Sequence, residues 1–411
     1  MYKKLDIIKI MGGRKMKRIL SLDIKYSAIQ FIFFGSVCAV MGYASVYLLD
    51  QGVSNSLIGT ILAAISVIVV FTQPAIAAYA DKNKHIELRK IISAVMVLAV
   101  ILSVATFFVK DVVVLLLCVY VGISTCIQTV MPLMNSLAFV FEKQGIEINY
   151  GIARGIGSAA YALVSFALGY LVEDFGTSVI PLVYIFFNVL LVLAVNSFVL
   201  PKSERKDVAE VEEEKATEEK QLSFIDFFKK YKKFMIFVLG VVVVYFTHTI
   251  INNFFIQILT PIGGTESDMG TAVFLAAIVE LPAMGLFNSI RKKVKVSTLL
   301  KYSAIMFAVK HALTFLATDM TLIYVAQFCQ IAAYAILIPA SVYYVNSIVA
   351  KQDQIKGQSM VTMAMTASGI VANLAGGFLL DGIGVHNVLL MGTVISVIGA
   401  VIVMLSVERV D

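Results

Sequence analysis

The sequence predicts an all-α integral membrane protein whose twelve transmembrane helices form two related six-helix bundles. Its residues are 59% hydrophobic and 15% charged, with a mean hydropathy of +0.90, a balance no soluble globular domain shares. Apolar runs of about 20 residues, each long enough to cross a hydrocarbon core as a helix, recur along the whole chain. The two halves also repeat each other. An offset of about 208 residues places Pro74 on Pro282, Pro132 on Pro339 one residue out of register, and GYLVEDFG (169–176) on GFLLDGIG (377–384). A helix breaker or a glycine-bearing turn that recurs at one offset is poorly explained by shared apolarity alone.

Reading the chain in windows of about 19 residues gives the spans. They run over 26–49, 56–80, 91–110, 112–140, 151–172, 178–200, 234–260, 268–290, 297–318, 320–348, 358–380 and 386–407. The first follows a basic N-terminus, but it is too long for a signal-peptide core and has no small-x-small cleavage site, so it is expected to stay in place. The predicted organisation is a basic N-terminus (1–25), a first bundle (26–200), a linker (201–233), a second bundle (234–407) and a short tail (408–411). Lys and Arg fix the orientation: the N-terminus, every second gap and the C-terminus hold 30 of the 33. By the positive-inside rule both termini are cytoplasmic in a multi-pass protein of the cell membrane. The opposite turns are acidic or neutral, with Asp50, Glu173, Asp174, Glu266, Asp268, Asp319 and Asp381. Because the +6 net charge resides in these gaps, it points to the bilayer surface and not to nucleic acid.

Within the linker, 202–220 mixes acids and bases with almost no apolar residues and reads as solvated chain. QLSFIDFFKKYKKF (221–234) alternates large apolar residues with lysines. That pattern fits a helix lying on an anionic leaflet or an extension of the seventh span, and both readings stay open. The four cysteines, Cys38, Cys118, Cys126 and Cys329, fall inside apolar runs without metal-ligand spacing and are read as free, buried thiols.

Ionisable groups inside the spans are the candidate site. Glu280 lies about 18 Å along its helix from Asp268 and about 16 Å from Arg291, near mid-membrane, and Pro282 loosens the helix beside it. Lys310 is about 13.5 Å from both Lys301 and Asp319, and His248 about 22 Å from Lys233, so the three share one depth in three spans. An ionised group there costs about 2.5–3.5 kcal/mol on insertion scales and ordinarily faces a bundle interior or an aqueous cavity. The competing reading is a structural Glu280–Lys310 pair that fixes helix packing. For His248 an ordinary helix-contact role stays open, and His311 is expected to turn to a neighbouring helix or to headgroups. Arg154 lies three residues into its span, where depth alone makes it a snorkelling arginine; Tyr161, seven residues on, shares its face. Asn135, Asn252, Asn253, Gln330, Tyr334 and Asn373 are uncharged mid-span hydrogen-bonding groups, expected mostly at helix contacts.

Length, layout and local motifs resemble the oligosaccharide:proton symporter (lactose permease-like) branch of the major facilitator superfamily, over residues 26–407. NYGIARGIGSAAYA (149–162) is similar to the fifth-span segment of that branch, which implies sugar binding for Arg154, ring stacking for Tyr161, and a fifth helix longer than the apolar run. VELPA and SAIMFAVKHAL carry the implied eighth-span carboxylate, Glu280, and ninth-span cation, Lys310. PAIAAYADKNKHIELRK (74–90) is similar to the acidic-then-basic inner loop, with Asp81 as gating or helix-anchoring acid; Arg89 in this loop and Arg291 after the eighth span are the expected inner-loop cations. The chain departs from the branch in three places: Asn135 of PLMNSL stands where a carboxylate is expected, Gln330 and Ala333 occupy the region of a His and Glu, and the stacking aromatic is tyrosine.

The resulting expectation is a monomeric, proton-driven transporter of a sugar-like molecule, using Arg154, Tyr161, Glu280, Lys310, Asn135, Asn253 and His248 for substrate and Glu280, Lys310 and His248 for coupling. No cofactor is implied. A multidrug exporter of the same fold and a transport-inactive sensor are the alternatives. Scattered His and Cys supply no nucleophile–base pair or metal cluster for an enzyme, and no glycine-rich phosphate loop points to an ATP-driven pump.

Overall fold

The structure, a computed structural model, describes residues 21–83, 85–109, 111–141, 146, 148–199 and 224–409. The basic segment 1–20, the linker 201–223, Lys110 and Lys143 lie outside the described residues. All regular structure among those described is helical. Ten membrane-length helices are α1 (Ser21–Gly42), α2 (Asn55–Lys82), α3 (Leu88–Val109), α4 (Val113–Phe139), α5 (Tyr150–Phe175), α6 (Val179–Ser197), α7 (Lys232–Asn253), α8 (Glu266–Ile290), α9 (Val296–Leu316) and α10 (Met320–Ile348). The last helix, Gln354–Ser406, is broken at Gly384 (φ 78°, ψ 164°); its parts before and after the break are α11 and α12. Among the described residues twelve spans result, as the apolar runs predict. Ala44–Asp50 prolongs α1 and Phe255–Leu259 prolongs α7.

The internal repeat reappears in the backbone. Gly176 and Gly384, paired by the sequence offset, both have positive φ, 79° and 78°. That conformation costs other residues roughly 1–2 kcal/mol, so glycine at both turns is the inexpensive solution.

Two compact units emerge from the described contacts. Of the described residues, one unit takes those within 21–41, 68–164 and 179–199; the other takes those within 42–67, 165–178 and 224–409. α1, α2 and α5 therefore each contribute to both units, so grouping by contact does not follow sequence order at these helices.

In the first unit, polar side chains tie helices across an apolar interior. Asn188 of α6 is fully buried; it accepts from Ser36 Oγ of α1 at 2.6 Å and donates to Ser103 Oγ of α3 at 3.2 Å. α1 widens to a π-helix over Cys38–Gly42, and the Tyr120 hydroxyl of α4 donates to the Val40 carbonyl in that turn. Cys38 and Cys126 are buried as expected, and none of the four cysteines is in a disulfide. Cys118 and Cys329 are corrections: Cys329 is only half-buried on α10, and Cys118 is exposed on α4 beside Val114 (70%) and Leu115 (51%), on an outward-facing apolar surface.

In the second unit, Phe227, Phe234, Phe237, Phe307 and Tyr344 anchor one apolar cluster. The linker helix Phe224–Lys230 joins it through Phe227, then stops at Tyr231 (φ −109°, ψ 46°) before α7 begins. Tyr231 Oη donates to Asp353 Oδ2 at 3.1 Å and accepts from Ala350 N at 3.1 Å. The segment is thus docked on protein through one ring while its neighbour Phe228 stays 48% exposed.

Replacing Asn188 by Ala removes two interhelical hydrogen bonds, each worth about 0.6–1.7 kcal/mol in membrane bundles. The purified variant is expected to unfold at lower temperature than the parent. Ser347→Ala, which removes only a bond to its own helix at Tyr343 O, should leave the midpoint unchanged.

Candidate functional site

Glu280, Lys310 and His248 meet in the second unit on α8, α9 and α7, but not as the direct ion pair the sequence allowed. Gln330 of α10 stands between the two charges. Lys310 Nζ donates to Gln330 Oε1 at 2.6 Å, and Gln330 Nε2 donates to Glu280 Oε1 at 2.8 Å. Lys310 is 1% and Gln330 7% exposed; Glu280 is half-buried. An amide suits this position because its two ends differ: the oxygen receives the ammonium and the nitrogen serves the carboxylate.

A local fault in α10 accompanies Gln330. The helix tightens to a 3₁₀ turn over Cys329–Ile331 and leaves helical geometry at Ala333 (φ −84°, ψ −88°). The Ala333 carbonyl accepts from Ser303 Oγ of α9 at 2.6 Å. Non-helical backbone at membrane depth is tolerated where protein satisfies it in this way.

The histidines lie side by side. His248 stacks on Tyr334 and on His311, with ring centroids 5.9 and 6.2 Å apart, and meets Phe307 edge-on at 5.1 Å. His248 Nε2 pairs with Asn252 Nδ2 at 3.1 Å, and His311 Nδ1 with Ser396 Oγ of α12 at 2.8 Å. His311 therefore turns to a neighbouring helix, one of its two expected directions. His248 Nδ1 and His311 Nε2 are buried without a protein partner, which leaves hydrogen-bonding capacity beside the charged chain.

Arg154 and Tyr161 belong to the first unit. α5 begins at Tyr150, so the longer helix implied for this segment gains its length at the far end, reaching Phe175, and Arg154 stays about one turn inside the near end. Instead of reaching outward, its guanidinium lies 4.2 Å from the Phe34 ring centroid and donates to Ser158 Oγ at 3.0 Å. Gly157 makes room for that ring, since a Cβ there would fall 2.5 Å from Phe34 Cδ2. Tyr161 shares the face, two turns on, and is half-buried.

The remaining expected residues are placed less suggestively. Asn253 Nδ2 is engaged with Asn373 Oδ1 at 2.6 Å, and its carbonyl accepts from Ser45 Oγ. Asn135 is half-buried, and its carbonyl accepts from Tyr26 Oη at 3.4 Å. Asp81 is exposed at the end of α2, whereas Arg89 pairs with Glu87 and donates to Asn196 O of α6 at 2.9 Å. Arg291 rests 4.2 Å over the Tyr343 ring and donates to Asn288 Oδ1 at 2.9 Å.

Sequence reasoning saw Gln330 only as one mid-span amide among several, and missed Phe34 and Ser396 altogether. The signal that could have singled out Gln330 is its depth, twenty residues beyond Lys310 on the next span.

A family model described as MFS_1 like family matches residues 23–391. The chain is similar to an uncharacterized transporter, YwbF, of Bacillus subtilis (strain 168), with 22% identity covering 90% of this chain and 89% of that one. It is also similar to a maltose permease of Geobacillus stearothermophilus, with 23% identity covering 92% and 93%. Among solved structures, the nucleoside transporter NupG superposes with a TM-score of 0.76 at 14% identity, covering 95% of this chain and 100% of that one. A bacterial homolog of the human lysosomal transporter Spinster, inward-facing and unoccupied, gives 0.67 at 15% identity, covering 96% and 98%.

Gln330→Leu leaves the Lys310 ammonium without its acceptor, a loss of about 1.5–3 kcal/mol for a hydrogen bond to a charged group. A marked fall in thermal stability is expected. Adding Lys310→Met should recover most of it, because the unpaired charge is then gone. Equal stability of the single and double variants would show that the bridge bears no such burden.

Proposed function

The chain belongs to the MFS_1 like family of the major facilitator superfamily, and on that premise we propose that it is a proton-coupled transporter of a sugar or similar polyhydroxylated molecule, working by alternating access. The observation that carries this reading is the chain Lys310–Gln330–Glu280, buried at the lysine and the amide and half-buried at the acid, near two buried imidazole nitrogens without protein partners. A structural pair has no need of such unspent donors and acceptors, whereas a ligand bearing several hydroxyls can use them. The similarity to a maltose permease supports the substrate class. In this reading the protein acts as a monomer, has no enzymatic step, and moves two six-helix bundles, 26–200 and 234–407, about the substrate.

Each residue's role follows from its contacts. Gln330 holds Glu280 through one oxygen, leaving the other for a substrate hydroxyl or a proton. When Glu280 is ionised, it and Lys310 stabilise each other through the amide; a proton on Glu280 removes that attraction and frees Gln330 to serve substrate instead. Arg154, a planar fork already oriented by Phe34 and Ser158, is suited to paired hydroxyls, and Tyr161 on the same face to the C–H side of a sugar ring. The lysine-rich ends of the helices, both termini included, face the cytoplasm of the cell membrane.

Glu280→Gln keeps an acceptor for Gln330 Nε2 but cannot take up or lose a proton. In proteoliposomes screened with labelled disaccharides, pH-gradient-driven accumulation is expected to vanish while exchange of internal for external substrate persists. Undiminished accumulation by this variant would end the coupling proposal. Failure of every polyhydroxylated compound to exchange in the parent protein would end the substrate class.

A further inference from the structure

At the acidic ends of the helices, two contacts within the second unit are built to one plan. α2 and α8 begin alike. The Ser54 hydroxyl accepts from Leu57 N at 3.3 Å, and the Thr265 hydroxyl accepts from Asp268 N at 3.3 Å, so each helix is capped from its own chain. In both, the serine two residues after the cap, Ser56 or Ser267, then faces a carboxylate from another helix.

Asp381 of α11 takes three hydrogen bonds from the start of α2. Oδ2 accepts from Ser56 N at 2.7 Å and Ser56 Oγ at 2.5 Å, and Oδ1 from Asn55 Nδ2 at 2.8 Å. Glu173 of α5 does the same for α8: Oε2 accepts from Thr265 Oγ1 at 3.0 Å, and the Ser267 hydroxyl and amide also serve this carboxylate. A carboxylate on the free N–H groups of a helix start is favoured both by hydrogen bonding and by the helix dipole.

One turn before each acid is a glycine, Gly169 or Gly377, on the same helical face. Each crosses a glycine-bearing turn of the capped helix. A Cβ on Gly377 would fall 2.3 Å from Asn55 O and one on Gly59 2.2 Å from Asn373 O; on Gly169 it would fall 2.5 Å from Glu266 O and on Gly270 2.4 Å from Ser165 O. Backbone therefore touches backbone at both crossings. The capped helix reads Ser-x-x-Gly (56–59 and 267–270) and the crossing helix Gly-x-x-x-acid (169–173 and 377–381).

α2 and α5 come from the first half of the sequence, α8 and α11 from the second. We propose that Glu173 and Asp381 are paired latches, each an acid of one half clasping a helix start of the other, which together hold the acidic ends of the helices closed. This assignment rests on the alternating-access reading, in which the two halves must part there. Both acids are exposed, so water can take over their hydrogen bonds when the latches open, which makes the clasp reversible. Two clasps on one equilibrium add in free energy and so multiply in effect.

The test uses the full chain in proteoliposomes, with Cys38, Cys118, Cys126 and Cys329 replaced and Ser45→Cys as reporter. Ser45 is 5% exposed and bonded to the Asn253 carbonyl, across the same division between halves. Its reaction with a membrane-impermeant maleimide reads opening. Asp381→Asn and Glu173→Gln keep side-chain shape while removing charge. Each is expected to raise the labelling rate about fivefold and the pair together about twenty-fivefold, as for loss of a charge worth about 1 kcal/mol at a helix start. Gly377→Leu, which wedges the crossing, is the reference for opening. If it raises labelling and the double acid variant does not, the latch is overturned while alternating access stands. If neither does, both the latch and the alternating-access reading fall.

Discussion

The second unit is organised around one ammonium group withdrawn from water. Lys310 is 1% exposed in the middle of α9, where a charge costs several kcal/mol unless it is met at close range. Gln330 meets it, and the consequences spread outward. To deliver Gln330, α10 tightens over Cys329–Ile331 and breaks at Ala333. The Ala333 carbonyl, which accepts from Leu337 N at 3.1 Å as the helix resumes, takes a second hydrogen bond from Ser303 of α9. The far end of the same amide holds Glu280, so α8, α9 and α10 are fastened at one depth by a single uncharged side chain.

Lys310 of the second unit and Arg154 of the first are accommodated by different physics. Lys310 presents a compact, strongly hydrated charge, so burial requires a strong oxygen acceptor. Arg154 carries a delocalised, weakly hydrated one that a ring face can satisfy, and Phe34 provides that face at 4.2 Å. Exchanging the two residues would fail at both positions. The surroundings fit this division: Lys310 is 1% exposed, and exclusion of water strengthens every contact it makes.

Much of the fold was legible because lipid imposes a simple rule. Runs of apolar residues give the spans to within a few residues, and the turn shared by 169–176 and 377–384 announces the break at Gly384. The depth of Glu280, Lys310 and His248 followed from helix rise alone. What was not legible depends on partners. An amide in an apolar helix looks the same whether it bridges charges, as Gln330 does, or packs against another amide, as Asn253 does against Asn373. Asp81 and Arg89 are both charged residues of one loop sequence, yet among the described residues only the arginine is held by side-chain contacts, to Glu87 and the Asn196 carbonyl. Nor does chain order reveal that α1, α2 and α5 divide their contacts between two units, because that division depends on which ends of the helices touch.

The repeat shows the same limit inside one pair of helices. α5 and α11 align at the offset of about 208 residues along their shared length, so Gly169, Glu173 and Gly176 fall on Gly377, Asp381 and Gly384 without adjustment. α2 and α8 do not. Pro74 falls on Pro282 at that offset, but Gly52, Ser54, Ser56 and Gly59 fall on Gly263, Thr265, Ser267 and Gly270 only when it grows to about 211. Three residues are therefore missing from α8 between its first glycine turn and its proline. A deletion of about three residues turns a helix through some 300°, within roughly 60° of a full revolution, so both features keep nearly the same facing while their separation shortens by about 4.5 Å. An alignment anchored on the prolines hides the helix starts, and only the contacts restore them: Ser56 and Ser267 each meet an acid, and Gly59 and Gly270 each meet a backbone. Between these two helices the repeat has kept what each start touches and has let the distance to the proline change.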